Sequence, residues 1–493
     1  MRGICGVHFS HKLCHDAADL LEDPAHAAEA REWVARLRRA NLDVWVWTHE
    51  LHHVPAEFLD DQGRLRFDDT DWPGLLRQKY RRFLGEVLPG ITGLVFTFAE
   101  TPFEIYKDRV VVSALSPAER LKRLMSVLVD ICAEHGVRVA LRDFVYRPDE
   151  VDSMGRALRE LPADVVVMSK AVPHDWEPFY PCNPLLGKVG DREQWVEFDL
   201  GLEYEGQQML PYANLEQHHT WLLAARAAGI RQVCLRLDRY DGDCGQSALF
   251  TPWGKLMLNA FHAWDRQPEL SCEALWRGWE ADQFPHAARV LQLLTRSVQQ
   301  MAFPLQNWLM DHSVLPSFAY AKSHLYGGNA ARLAEWTGDP DQLKTLESFE
   351  TFPAGFRERL DRESAAALGE FAEAEQLLKE HLLPDHADYE IWRDGVQQSG
   401  SLLRLLAGYR DVFFRIRELQ IHPGKDRAAA EKALEAFKAR TLTEAPRWSH
   451  RRLTGMPFLR VMNRRKKHIA SDAAENPFSA VIASLERELA GLL

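Results

Sequence analysis

The first 280 residues alternate short apolar runs with longer amphipathic ones, and that alternation narrows the fold more than anything else in the chain. The runs "GICGVHFS", "LDVWVWT", "ITGLVFTFAE", "VRVALRDFVY", "DVVVMSKAV", "QWVEFDLGLEY" and "IRQVCLRLDRY" carry strand chemistry. Between them lie segments with helical period. "AAEAREWVARLRRAN" has Trp33, Leu37 and Ala40 on one expected face, and "DWPGLLRQKYRRFLGEVL" has Pro73 near its start. A further helix opens at Ser116-Pro117 and closes at Gly136. Strands separated by helices imply a parallel sheet. Seven such strands, with polar residues gathered at their C-terminal ends, point to a (β/α)8 TIM-type barrel, with an open doubly wound sheet as the alternative. No G-x-G-x-x-G and no P-loop follows the first strand, which removes the usual nucleotide-binding readings. From about Phe284 onward only helical period remains. The expected division is a barrel over 1–284 and an all-helical C-terminal domain over 285–493.

Composition limits partners and compartment. A net charge of -11 argues against nucleic acid, and the basic run Arg460 to His468 reads as a solvated surface. The seven cysteines form no C-x-x-C pair and are odd in number, which suits a reducing compartment. No apolar run reaches the roughly 18 residues that a membrane span needs, and the N-terminus lacks the apolar stretch of a signal peptide. A cytoplasmic protein without membrane or cofactor partners is expected. Fifteen tryptophans are a hint of sugar stacking, although tryptophan is also a good core residue.

The stretch "WTHELHHVP" contains His49-Glu50-Leu51-His52-His53 and so fits H-E-x-x-H. That zinc motif needs a helix, so that both imidazoles reach one metal. Here a strand precedes it and Pro55 follows it, so it is expected on a loop leaving a strand. His8, His11 and His15 are similarly weak as metal ligands, and no metal is expected.

The strand ends carry the chemistry. Glu100 ends the third run, Arg142 and Asp143 the fourth, and Lys170 then Asp175 follow the fifth. Glu203 follows the sixth, and Arg236, Asp238, Arg239 and Asp241 follow the seventh. Acids and bases gathered at one rim suit glycoside hydrolysis. There one carboxylic acid protonates the leaving oxygen and another carboxylate activates water or attacks carbon.

The run "DVVVMSKAVPHDWEPFYPCNPLLGK", followed by "WVEFDLGLEYEGQQ", resembles the α-glucuronidases of glycoside hydrolase family 67. The matching elements are Lys170, Asp175, Glu177-Pro178, Pro184 to Gly187 and Glu203-Tyr204-Glu205-Gly206-Gln207. "LRDFVY", "GLVFTFAE" and "LNAFHAWDRQPELSCEALWRGW" extend the resemblance over about residues 40–285. The resemblance implies a (β/α)8 barrel in which Glu100 is the general acid. It makes Asp175 and Glu203 the pair that deprotonates the attacking water, with inversion. Arg142 and Lys170 would bind the sugar carboxylate, a role a planar guanidinium suits. Tyr204 would line the site. Trp47, His49 and Glu50 are expected to face substrate, a structural histidine pair being the alternative. The position of the helical tail in that family implies a homodimer formed through it.

Three features differ from the family. Phe96 stands where the family has a further lysine. No β-sandwich domain precedes the barrel, and "GICGVHFS" aligns with the second barrel strand, so the first strand is expected to be missing. The His-rich loop replaces small residues. The expected activity is inverting removal of an α-linked glucuronic or 4-O-methylglucuronic acid from an oligosaccharide such as a glucuronoxylan fragment. The alternatives are an inverting hydrolase of another α-linked sugar and a non-catalytic saccharide-binding barrel.

Overall fold

The computed structural model describes residues 4–9, 13–206, 210–237, 250–310, 315–327, 331–449 and 478–492. His11, Gln207, Asp238, Arg239, Asp241 and the basic run Arg460 to His468 lie outside the described residues. The chain divides into two compact units that interleave along the sequence. One holds residues 1–174, 182–198 and 221–234; the other holds 175–181, 199–220 and 235–493. A single cut after residue 284 therefore does not coincide with this grouping.

Among the described residues nine strands form, in chain order β1 (Gly6–Phe9), β2 (Asp43–His49), β3 (Leu65–Arg66), β4 (Gly93–Thr97), β5 (Val111–Val112), β6 (Arg138–Arg142), β7 (Val166–Lys170), β8 (Gln194–Asp199) and β9 (Gln232–Arg236). Seven of them make one sheet in the order β1-β2-β4-β6-β7-β8-β9. These are the seven runs read from the sequence, and the pairs from β1 to β8 are parallel. The two-residue strands β3 and β5 pair separately and were too short to carry a periodic signal. Among the described residues β1 and β9 are the two ends of the order, so the expected closed eight-stranded barrel is not formed there.

The sheet nevertheless curls strongly. Trp45 and Trp47 of β2, Val95 of β4, Ala140 of β6, Val166 and Met168 of β7 and Trp195 of β8 share one buried cluster. Trp45 stands edge-on to Trp195 with ring centroids 4.8 Å apart, and His8 of β1 lies 5.7 Å from Trp195. Strands far apart in the order thus touch across one face, as in a barrel interior. Gly93 is required there: a Cβ at this position would sit 2.1 Å from the Trp45 ring.

Helices cover the other face. The helix Trp72–Arg82 is capped by Asp71, whose side chain accepts from the Gly74 N–H. Its Tyr80 meets Phe96 of β4 edge-on, with centroids 5.6 Å apart. Phe96, the family's lysine position, therefore faces this helix, while its neighbour Val95 faces the curl. The helix Pro117–Glu134 opens after Ser116, as expected, and Ser116 forms a capping box with Glu119. One expected face is corrected. Helix Pro24–Arg39 buries Ala27, Ala30 and Val34 and leaves Trp33 exposed, with the Arg36 guanidinium 5.2 Å from its ring. Small residues let this helix lie close, and the indole keeps its area under an arginine instead.

The second unit is helical from Pro252 on. Helix Ala287–Ala302 packs on Phe356–His381 and on the long helix Tyr389–Ile421. Buried Arg410 donates to the Gln300 and Met301 carbonyls and pairs with Glu363 at 2.9 Å. That satisfies carbonyls at a helix end which have no partner inside the helix. Among the described residues, no helix is long and apolar enough to cross a membrane.

Candidate functional site

Side chains two apart on a strand share a face. The residues after the apolar cluster on each strand therefore continue its inner face toward the C-terminal ends. They are His49 on β2, Thr97 on β4, Arg142 on β6, Lys170 on β7 and Glu197 on β8. Register agrees, since His49 pairs with Thr97 and Lys170 with Glu197. The inner face thus turns from apolar to polar at one end, and of these five residues two are cations and one is an anion.

Arg142 and Lys170 are each 3% exposed. Arg142 donates to Glu197 Oε2 at 2.7 Å and lies 4.4 Å from the centroid of the Trp47 ring. Lys170 Nζ lies 3.9 Å from the Phe144 ring. Glu197 was not singled out in the sequence. Its signal was an acid two residues after Trp195 in an otherwise apolar buried strand. Burial lowers the His8 imidazole to about 4, against the opposing pull of Glu197, so His8 is neutral at physiological pH. Its Nδ1 accepts from Trp47 Nε1 at 3.3 Å.

Two residues expected to face substrate are buried in the fold. Trp47 points into the curl and is 2% exposed, because strand alternation aims it inward. Glu50 is 1% exposed and turns under the sheet. There Lys79 Nζ lies 2.8 Å from both its oxygens and 3.0 Å from Asp16, and the Tyr80 hydroxyl donates to it. Burial raises the Glu50 carboxyl to about 7, with Lys79 opposing. His49 is also buried and reaches Glu100 rather than the surface. The H-E-x-x-H motif sits at a strand end and its loop, as expected, and no group of residues fit to hold a metal occurs among the described residues.

Glu100 follows β4 with φ of 60° and a side chain 44% exposed. Around it gather the histidines of two loops. His49 Nε2 lies 3.2 Å from Glu100 Oε2, and His15 Nε2 lies 3.0 Å from the Glu100 carbonyl oxygen.

Beneath the rim, Asp143 is buried and accepts from Ser169 Oγ at 2.6 Å. Burial pushes its carboxyl up to about 7. Between the ordinary carboxylate range, about 4, and that value, the folded chain holds a proton that the unfolded chain has lost. This stabilising contribution is complete at low pH and is lost as pH rises through about 7. Asp143→Asn should therefore gain melting temperature relative to wild type between pH 5 and pH 8. Equal offsets at both pH values would contradict this reading.

The second unit carries its own acidic group. Tyr204 is fully buried and donates its hydroxyl to Asp175 Oδ2. Burial, then the charges of Asp175 and Glu203, hold the phenol well above its ordinary range, so Tyr204 stays a neutral donor to Asp175. Asp199 orders the turn that carries Glu203, accepting from the Gly201 N–H at 3.0 Å and the Glu203 N–H at 2.9 Å. Arg236 Nη1 lies 3.9 Å from Glu203 Oε2. Burial, with Asp199 and Glu177 nearby, pushes Glu205 well above the usual range and keeps it protonated. Trp308, from the helical tail, meets Tyr204 edge-on at 4.8 Å. It had no local sequence signal, because only the fold brings it there.

No protein-family model matches the chain, and no curated protein matches it. Solved structures do. A glycoside hydrolase family 138 enzyme targeting pectin rhamnogalacturonan II aligns with a TM-score of 0.54 at 11% identity, over 95% of this chain and 72% of its own. A family 115 4-O-methyl-α-glucuronidase with specificity for decorated arabinogalactans aligns at 0.46 and 11% identity, over 89% of this chain and 58% of its own. A chitobiase of Flavobacterium johnsoniae aligns at 0.35 and 9% identity, over 94% and 68%. The first of these likenesses shows that the chain shares its fold with a known glycoside hydrolase.

Proposed function

We propose that this protein is an inverting glycoside hydrolase that removes an α-linked uronic acid, glucuronic or 4-O-methylglucuronic acid, from an oligosaccharide. The observation that carries the reading is the inner face of the curled sheet. It turns polar at the strands' C-terminal ends, sets Arg142 and Lys170 there, and has Glu100 at the end of β4. The family 67 resemblance and the fold shared with a glycoside hydrolase support it. A uronate brings a negative charge, and cations at such a rim favour it over a neutral sugar.

In this reading Glu100 gives its proton to the glycosidic oxygen. The C1–O bond breaks with its electron pair moving onto that oxygen. Asp175 and Glu203 take the proton of a water that attacks C1 from the opposite face, which inverts the anomeric centre. The Tyr204 hydroxyl donates to Asp175 and so holds that carboxyl in place for the role. A second candidate substrate is pectin rhamnogalacturonan II, the target of the family 138 enzyme that shares this fold.

The test is a release assay on glucuronoxylan oligosaccharides, rhamnogalacturonan II fragments and neutral α-xylosides. Uronic acid freed from either acidic substrate, with the neutral sugar spared, supports the reading. Hydrolysis of the neutral sugar alone would replace it with the other-α-sugar alternative. No hydrolysis of any of them would favour the saccharide-binding barrel.

A further inference from the structure

His49 stands against Glu100 in a geometry that leaves little freedom for protons. Its Nδ1 lies 3.1 Å from the His15 carbonyl oxygen. A carbonyl only accepts, so Nδ1 carries a hydrogen. In the neutral ring Nε2 is then a bare lone pair, and it faces Glu100 Oε2 at 3.2 Å. Two lone pairs at that distance repel. The contact is a hydrogen bond only when one proton lies between the ring and the carboxyl.

A second histidine limits where that proton rests. The His15 ring stacks on His49 with centroids 4.1 Å apart and planes 8° from parallel. Its Nε2 faces the Glu100 carbonyl oxygen and so carries a hydrogen. Two imidazolium rings stacked this closely would repel, so charge on either disfavours charge on the other. Sharing the proton with the Glu100 carboxyl spares the stack a full charge on His49. The other ionisable groups around the pair are Glu104, which accepts the Glu100 N–H, its partner Lys107, Asp19, which accepts the His15 N–H, and His52, edge-on to His15. Tyr106, whose hydroxyl is raised by burial and then by Glu104, with Glu100 a lesser cause, lies near them as well.

We propose that His49 is the positioning residue of the general acid: it holds one proton jointly with Glu100 and keeps that carboxyl loaded for transfer. This rests on the reading of Glu100 as the acid. His49 is fully buried while the Glu100 side chain is 44% exposed, so His49 acts through Glu100 and Glu100 alone meets substrate and water. In turnover the Glu100 O–H bond breaks, its proton goes to the glycosidic oxygen, and the carboxylate is recharged from solvent against the His49 lone pair. The interaction also gives the His-rich loop a role that needs no metal.

Two measurements on the full-length protein test it. The first needs no substrate: ring nitrogens of nitrogen-15-labelled histidines are followed by NMR across pH. His49 should carry its proton on Nδ1, and Glu100→Gln should move its Nε2 resonance, since the proton shared with the carboxyl is gone. A proton on Nε2 alone, or an unmoved Nε2 resonance, overturns the proposal.

The second compares phenyl and dinitrophenyl α-glucuronides, since the better leaving group needs no acid. His49→Asn retains a donor for the His15 carbonyl but lacks the lone pair facing Glu100. It should lose about 10²-fold on the phenyl substrate, shift the alkaline limb of the pH profile downward, and leave the dinitrophenyl substrate nearly unchanged. Equal loss on both, with the limb unmoved, makes His49 merely structural and overturns the proposal. Glu100→Gln separates the two failures. If it shows the leaving-group pattern and His49→Asn does not, only His49's role falls. If Glu100→Gln lowers both substrates equally, the acid assignment fails and this proposal fails with it.

Discussion

Glu100→Gln is expected to lower turnover of an α-linked uronoside by about 10²- to 10⁴-fold while leaving the melting temperature where it is. The amide cannot give up a proton, so departure of a sugar alkoxide loses its acid. Folding is spared because the side chain is 44% exposed. Glu203→Gln should fall as far, since an amide cannot accept the proton of water. Its N–H to Asp199, which shapes the turn, belongs to the backbone and survives the change. Steady-state kinetics beside thermal melts check both. If either variant keeps near-wild-type turnover, that residue does not have the role proposed for it. The double variant adds information: two residues serving one reaction should lose much less together than the product of their separate losses.

Lys79→Met is expected to be the most damaging single change to the fold, at about 3–5 kcal/mol. Lys79 is the cation between two carboxylates, Glu50 and Asp16, whose side chains are fully buried. Removing it leaves like charges together without a counter-ion, so one or both must take up protons to stay inside. The Tyr80 hydroxyl and the Ala18 N–H still serve individual oxygens but carry no charge. Denaturant titration measures the cost, and the loss should shrink as pH falls and the carboxyls protonate. A change under about 1 kcal/mol would mean that the ion pairs add nothing beyond these hydrogen bonds.

Much of the sheet was legible because each strand carries its own signal. Continuous apolar runs bounded by turn residues marked seven strands, and Ser116-Pro117 marked a helix start. Closure of the sheet was not legible, because pairing of the two end strands depends on contacts far apart in sequence. The rim residues were found because polar side chains at strand ends stand out against apolar runs. Their orientation was harder. Trp47 and Glu50 lie three residues apart around a strand end, and one faces the curl while the other turns under it. What turns Glu50 inward is Lys79, some thirty residues later. Arg142 looked like a free cation because Glu197, its partner, lies two strands away in the sheet order. Tyr204 beside Asp175 was anticipated only as a lining residue; the hydrogen bond between them needed the fold.

The most direct test of the central claim is a proton-NMR time course of the wild-type protein with a short glucuronoxylo-oligosaccharide. The reading expects free uronic acid to appear first as the β anomer, with the α anomer growing in only by mutarotation, because a water held by Asp175 and Glu203 attacks opposite the leaving group. First appearance as the α anomer would contradict it. Such a product requires retention, and a nucleophilic carboxylate in place of the water-activating pair.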